Sequence, residues 1–523
     1  MDLESNNNNT EGISLINNNQ IKPSNHKKYM SYCVGLILVF IIGIGIVVSY
    51  SPHYGSSLNL FHFLLIVILF LGNKRNVIIM ISDGFGPASE TYGRTFHQFV
   101  HNNTYSSITP LDQILIGQSR TRSSSSVITD SAAGATAFSC GLKSYNGAIG
   151  VDQHQRPCGT VLEAAKKRGF LTGLVATSRI THATPASFSA HVISRDMENK
   201  IAEQQIGLYP LGRNVDIMFG GGKCEFLDRN TTGSCRSDNL DLIKKGNELG
   251  WNFVFEKKEF EEIDDNNVKL PLAGLFANGH MDYEIDRDSS QQPALKEMAK
   301  KTIQILNNLT KKKTHGFFLM IEGSRIDMAA HDNDPVAHAH DILAYYETVK
   351  VVKDFVAKNS DTVMISVSDH ETGGFTLGRQ LTAAYPEYIW HPEVIARVKK
   401  STEKLAEEIM NFTGKDKANF IENKILQESM GISDPTEIEI EAINHANTLF
   451  DLKAQLGNVV SRRANLGWTT HGHTGVDVNL YAYGKGAHHL HGSKENTDIG
   501  KFIETFLDLD LTSITKKLKK WRF

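Results

Sequence analysis

Three apolar runs, each closing on a carboxylate, constrain what this 523-residue chain can fold into more than any other feature. Asn76-Val77-Ile78-Ile79-Met80-Ile81-Ser82 runs into Asp83-Gly84. Phe317-Phe318-Leu319-Met320-Ile321 runs into Glu322, with Asp327 and His331 just beyond. Val363-Met364-Ile365-Ser366-Val367-Ser368 runs into Asp369-His370-Glu371. Short runs rich in Val and Ile, ended by Gly and polar residues, read as buried strands. Ligands of α/β sheets sit outside the carboxyl ends of strands. The pattern therefore predicts Asp83, Glu322 and Asp369 on one rim of one sheet. Carboxylates gathered on a rim repel one another unless cations neutralise them, so the runs point to a multi-metal site.

Beyond Lys74 strand-like and helix-like segments alternate. Thr160 to Arg168 reads as a helix ended by Gly169, Leu171 to Ala176 as a strand, and Pro293 to Leu309 and Ala339 to Lys358 as amphipathic helices. Such alternation implies an α/β layer architecture. From about Tyr385 to Ala464 strand runs disappear and charged helix formers dominate, which reads as a helical insertion (385–464). The β pattern resumes at Val476 to Tyr483. Residues 511–523 form a small basic tail that reads as a solvated terminus. The formal net charge of -3 gives no global attraction to nucleic acid, and none is expected as a partner.

The N-terminus is different material. Residues 1–28 carry Asn-rich low-complexity sequence and read as a disordered cytosolic tail. Lys27-Lys28 then precede an uncharged apolar stretch, Tyr29 to Tyr50, long enough to cross a bilayer. With the basic flank on its N-terminal side, the positive-inside rule makes it a signal-anchor (29–50) of a single-pass type II protein with a lumenal or extracellular catalytic domain. An apolar linker (51–73) follows, and its Leu58 to Leu71 run is short for a second span. Sequons at Asn102, Asn230, Asn308 and Asn411 suit glycosylation in such a compartment. Of five cysteines, Cys33 lies in the anchor; Cys140 and Cys158, and Cys224 and Cys235, each flank a loop, as short-range disulfides in an oxidising lumen would.

The residues able to do chemistry follow from type and spacing. Asp327 and His331, four apart, share one face of a helix, and a carboxylate with an imidazole suits zinc. His473 sits with His471 in a Gly- and Thr-rich loop where backbone and imidazole can approach a metal closely. Asp369 and His370 lie at a strand end. In Thr129-Asp130-Ser131-Ala132-Ala133, either Asp130 or Thr129 can cap a helix, which places Ser131 in its first turn, where free N–H groups and the dipole attract anions. A serine there, beside a divalent cation, can attack phosphorus. Arg195 offers a guanidinium fork for phosphate oxygens.

Ser82-Asp83-Gly84, Thr129-Asp130-Ser131-Ala132-Ala133, Thr181-His182-Ala183-Thr184-Pro185, Glu322-Gly323-Ser324-Arg325-Ile326-Asp327, Ser368-Asp369-His370-Glu371 and His473-Thr474-Gly475, in this order, resemble the alkaline phosphatase family over roughly Asn76 to Phe506. With its N-terminal anchor the chain most resembles the membrane-anchored vacuolar-type members. The resemblance implies a three-layer sandwich around a large, mostly parallel central sheet, residues 74–510 as the catalytic domain, and a homodimer. It implies hydrolysis of phosphate monoesters at alkaline pH through a phosphoserine at Ser131. Asp327, His331 and His473 are implied as ligands of one zinc and Asp83, Asp369 and His370 of a second; Asp83, Thr184 and Glu322 are implied around a magnesium, with Arg195 clamping phosphate and His182, Asp130 and His471 behind these ligands. Position 182, where bacterial members commonly have Asp, carries His182, which makes zinc an alternative for the third metal. Two rival functions remain at this stage: a phosphodiesterase, pyrophosphatase or mutase of the same superfamily, and a membrane-bound interaction protein on an inactive scaffold.

Overall fold

The computed structural model of the protein describes residues 74–519 and Trp521. The segments 1–28, 29–50 and 51–73, assigned above to tail, anchor and linker, lie outside the described residues, as do residues 520, 522 and 523; the rest of the basic tail is not the solvated terminus expected but contains the helix Leu511–Leu518, whose Leu511, Ile514 and Leu518 are buried in the core. No helix among the described residues is long and apolar enough to cross a membrane.

A ten-stranded sheet organises the chain. Its strands are β1 (Asn76–Ser82), β2 (Leu115–Arg120), β3 (Leu171–Arg179), β4 (Ile217–Gly221), β5 (Asn252–Val254), β6 (Leu272–Leu275), β7 (Phe317–Gly323) and β8 (Thr362–Val367), with β13 (Val478–Gly484) and β14 (Gly492–Glu495) added from the C-terminal part. The spatial order is β14-β2-β13-β8-β1-β7-β3-β4-β6-β5. Only β13 runs against its neighbours β8 and β2, so the sheet is mixed, with every other pairing parallel. Two small ladders, β9 (Glu371–Thr372) with β12 (His473–Thr474) and β10 (Thr376–Leu377) with β11 (Leu466–Gly467), stand beyond the main sheet.

The three apolar runs are the three adjacent central strands, in the order β8-β1-β7. They are apolar on both faces because both faces are covered. Ile78 and Met80 join one core with Leu319 and Ile321 of β7 and with Met298, Ile303, Ile342 and Tyr345 from the helices Leu295–Thr310 and Pro335–Lys358. Val77, Ile79 and Ile81 join a second core with Phe318, Met320 and residues of the helices Val161–Arg168 and Asn496–Leu507. The result is helix, sheet and helix in three layers, the architecture the resemblance implied. Between Pro392 and Arg463 the chain forms helices and no strand of the main sheet, and their Ile395, Leu405, Ile425 and Leu456 extend the first core.

Local signals set the element ends. Thr160 caps the helix Val161–Arg168 through a capping box with Glu163, and Gly169 closes it in the left-handed conformation. β3 runs three residues past the expected end at Ala176, to Arg179. Glu322 lies inside β7 rather than after it, opposite Ile81 of β1. The half-cystines pair as their loops suggested, Cys140 with Cys158 and Cys224 with Cys235.

One buried carboxyl outside the rim gives a stability test. Glu90 accepts hydrogen bonds from Arg94 (3.3 Å), Thr109 (3.2 Å) and Tyr481 (3.2 Å). Burial outweighs them and raises it from 4.5 to about 7. Between those values the folded chain holds a proton that the unfolded chain releases, so this group's contribution falls as pH rises through the window. Glu90→Gln is expected to gain on the wild type by up to about 3 kcal/mol between pH 4.5 and 7, read from urea midpoints at both ends. Parallel pH curves for the two proteins would contradict the shift.

Candidate active site

Asp83 and Asp369 leave β1 and β8 at their carboxyl ends, and Glu322 sits near the end of β7 between them and β3. All three are fully buried, and Asp327, at the start of the helix Arg325–His331, is 4% exposed. Gly84 makes this crowding possible. It takes a φ of 71°, and a Cβ there would fall 2.7 Å from Asp327 Oδ1.

Around these carboxylates the imidazoles are aimed by their outer nitrogens. His331 Nδ1 meets the carbonyl of His471 at 2.5 Å, and His473 Nδ1 meets the carbonyl of Thr129 at 2.8 Å. A carbonyl only accepts, so each Nδ1 carries the proton and each Nε2 is left facing inward. The two inward nitrogens lie 3.0 Å apart, with His331 Nε2 3.3 Å and His473 Nε2 3.7 Å from Asp327. His471 returns the favour by placing its own Nδ1 2.7 Å from the carbonyl of His331. His370 Nε2 lies 3.2 Å from Asp369 and 3.4 Å from Asp83, and its ring stacks on His473 at 3.5 Å between centroids.

Ser131 is the first residue of the helix Ser131–Cys140, and Asp130 is its cap, accepting from the Ala133 N–H at 3.0 Å. Ser131 Oγ lies 3.1 Å from His370 Nε2 and 3.4 Å from Asp83 Oδ1. A Cβ on Gly134 would lie 2.9 Å from Asp369 Cβ, so only glycine lets this helix start so close to the rim. Asp130 also binds Arg195, whose Nη1 donates at 3.2 Å, while Arg195 Nη2 meets His182 Nε2 at 3.0 Å. The Arg195 side chain keeps 26% of its surface exposed.

Three groups of side chains could each hold a cation, their donor atoms lying within 4.8 Å of one another: Asp327, His331 and His473; Asp83, Asp327 and His370; Asp83, His182 and Glu322. Thr184 is the second residue of the helix Ala183–Ser189, which His182 precedes. Asp83 Oδ2, Asp369 Oδ2, Glu322 Oε1, Thr184 Oγ1 and His182 Nδ1 are all buried without a hydrogen-bond partner. Buried polar atoms are almost always paired, and of these Asp369 Oδ2 has only the ion-pair distance of 3.2 Å to His370 Nε2; donors gathered this way would be satisfied by bound cations. Oxygen and imidazole donors in these sets fit zinc and magnesium.

The electrostatics divide the site. Burial raises Asp83 well above the usual carboxylate range, and Asp369, Asp327 and Glu322 push it further. Burial raises Glu322 to about 8. For Asp327 burial is outweighed by His331, His473 and His370, which hold it well below its usual value. Asp369 is likewise held down against burial by His370. Asp327 in turn lifts His331 to about 9, while burial and His370 push His473 down to about 4. Burial, then Arg195, pushes His182 well below its usual value. Burial and mutual repulsion thus favour the neutral forms of Asp83 and Glu322, the imidazoles favour the charged forms of Asp327 and Asp369, and cations would favour ionisation of all four.

Every expected residue converges here, but sequence reasoning missed some supports. Thr372 donates to Asp327 Oδ1 at 2.5 Å and lies 3.2 Å from His370 Nδ1, tying two donor groups together. His280 packs edge-on against His182 at 5.3 Å, and its Nδ1 accepts from the Arg179 N–H. Thr372 stands two residues after His370, the one hint the sequence held; His280 sits in an irregular segment with no local signal.

The alkaline phosphatase family model matches residues 74–509. The alkaline phosphatase of Schizosaccharomyces pombe is 50% identical over 446 residues, covering 85% of this chain and 83% of its own. The repressible alkaline phosphatase of Saccharomyces cerevisiae is 47% identical over 476 residues, with the same coverage of 85% and 83%. Among solved structures, Thermus thermophilus alkaline phosphatase superposes with a TM-score of 0.72 at 27% identity, covering 86% of this chain and 96% of that one. A mutant TAB5 alkaline phosphatase, with a histidine changed to glutamate and Mg bound, gives a TM-score of 0.58 at 25% identity over 84% of this chain and 99% of that one. With this fold and these relatives, the chain belongs to the alkaline phosphatase family and is an enzyme that hydrolyses phosphate monoesters.

Proposed function

We propose that Ser131 is the nucleophile, and the observation that carries this is its hydroxyl lying within 3.4 Å of both His370 and Asp83 at a helix N-terminus. Asp83, Asp369 and His370 hold one cation, Asp327, His331 and His473 a second, and Asp83, Thr184 and Glu322 a third, with His182 beside it. The imidazole-rich pairs suit zinc, and the all-oxygen set suits magnesium. His182 leaves zinc an option at the third position. Divalent cations held there supply charge that stabilises the attacking and leaving oxygens of in-line displacement.

The chain's own groups do the rest. The Ser131 Oγ–phosphorus bond forms as the ester P–O bond breaks and the alcohol leaves with a proton. Water then attacks the phosphoserine, freeing Ser131 and inorganic phosphate. Arg195, fixed by Asp130, grips two phosphoryl oxygens, and the open helix end beside Ser131 adds N–H donors. His331 and His473 turn their inward nitrogens toward a cation because their outer nitrogens donate to carbonyls. Met328 packs against Tyr283 and Ala337, with its sulfur 3.2 Å from Arg325.

The membrane part of the reading rests on the Tyr29–Tyr50 stretch. It makes the protein a type II membrane protein with its catalytic domain in a vacuole-like or lysosomal lumen or at the cell surface. Two disulfides support an oxidising compartment, and Asn102, Asn230 and Asn411 are exposed enough for glycans. Exposed apolar side chains such as Tyr385, Tyr388 and Ile438 on the insertion suit a homodimer contact.

Acid quenching during turnover of an aryl phosphate is expected to trap phosphate on the peptide containing Ser131, and Ser131→Ala to lower kcat about a thousandfold or more. Phosphate recovered on another residue would remove the assignment. Monoesters are expected to be turned over far faster than diesters; the reverse order would favour the phosphodiesterase alternative. Thr372→Val is expected to weaken zinc binding about 10- to 100-fold, because it releases Asp327 and His370 together. Unchanged affinity in a competition titration would show that the threonine orients neither.

A further inference from the structure

The active site occupies the carboxyl rim of the sheet. A cavity of about 540 Å³ with a different chemistry runs along the helix Asn496–Leu507, from Arg75 and Lys485 at the opposite rim to Lys494 of β14, which pairs with Ser119 of β2. Arg75, Lys485, Lys494 and Lys501 line it against one carboxylate, Asp498, over a floor that includes Phe502 and Phe506. The place is fixed by the strand starts: the Asn76 N–H donates to the Asp361 carbonyl and the Lys485 N–H to the Thr362 carbonyl, at the amino ends of β1 and β8. Seven residues of β1 at about 3.3 Å each put this rim more than about 20 Å from Ser131.

Other basic residues on this rim have an ordinary cause. Lys166 to Arg168 close a helix, and exposed Lys311 to Lys313 follow one; helix C-termini favour such charges. The cavity cations do not share that cause. Arg75 precedes a strand, Lys485 follows one, Lys494 lies in β14, and Lys501 sits in mid-helix. They are also incompletely satisfied. Lys485 reaches Asp361 at 3.2 Å and Lys501 reaches Asp498 at 3.4 Å, but Lys494 has no ion pair among the described residues. Arg75 stacks over Phe506 at 5.6 Å, and its buried Nε has no hydrogen-bond partner. Basic groups around an apolar floor match a phosphodiester headgroup with its glycerol and first methylenes.

The chain itself argues for the occupant. The apolar stretches Tyr29–Tyr50 and Leu58–Leu71 end just before Lys74, which leads directly into this cavity through Arg75. We propose that this cavity binds the headgroup of an anionic phospholipid in the leaflet beside which the chain emerges. This rests on the anchor reading above.

The test uses the full chain in phosphatidylcholine nanodiscs, with and without phosphatidylglycerol, read by hydrogen exchange. Incorporation into neutral discs reads the anchor alone, and failure there would remove the anchor and this proposal together, leaving the phosphatase assignment untouched. With the anionic lipid, exchange across residues 484–507 is expected to slow about fivefold or more, while the segment 392–463 is unaffected. A Lys485→Glu, Lys494→Glu, Lys501→Glu variant should keep full hydrolysis of an aryl phosphate and lose the lipid-dependent slowing. Equal exchange of the wild type in both discs would overturn the proposal. So would equal slowing by soluble glycerophosphoglycerol in neutral discs, which would mark a free-anion site, or slowing that survives in the charge-reversed variant.

Discussion

Charge repulsion within one buried rim is the constraint on which this structure turns. Asp83 lies in one tight cluster with Glu322 and in another with Asp327, Asp369 lies 3.2 Å from His370 of that second cluster, and all four have at most 4% of their surface exposed. Two like charges 4 Å apart cost about 4 kcal/mol even at an effective dielectric of 20. The chain meets that cost in two ways. His331 and His370 ion-pair with Asp327 and Asp369, whereas Asp83 and Glu322 are pushed toward their neutral forms. Neither arrangement ionises all four at once. A site built this way favours exchange of protons for cations, the exchange on which the mechanism proposed for Ser131 rests.

The rest of the architecture serves this rim. Three adjacent parallel strands deliver three carboxylates to one edge because their connections all return on the two helical faces. Gly84 and Gly134 remove the side chains that would keep Asp327 and the Ser131 helix at a distance. The short β9–β12 ladder brings His473 beside Glu371 and Thr372, so that a histidine more than a hundred residues from Asp369 joins the same cluster. The opposite rim, where the chain begins its first strand, carries cations instead.

Much of this was legible in the sequence, for physical reasons. A strand buried on both faces must be continuously apolar, so the central strands declared themselves and their ends located Asp83 and Asp369. Ser131 and Arg195 were legible only in concert with the motifs around them, because a helix start and a lone arginine occur everywhere. Glu322 was misplaced by one step: the run of apolar residues ended before the strand did, since its carboxylate points into a polar pocket rather than into a core. The antiparallel β13 was seen as a strand but its direction was not, because direction is set by pairing partners far away in the chain. Thr372 and His280 were missed because their roles arise from tertiary contacts that no spacing encodes.

The central claim is that cations gather the buried carboxylates and imidazoles around Ser131, and anomalous diffraction at the zinc edge from crystals of the enzyme tests it most directly. The account predicts two peaks a few ångströms apart, one among Asp83, Asp369 and His370 and the other among Asp327, His331 and His473, both beside Ser131 Oγ. A fully active enzyme with no ordered ion among these residues would contradict it.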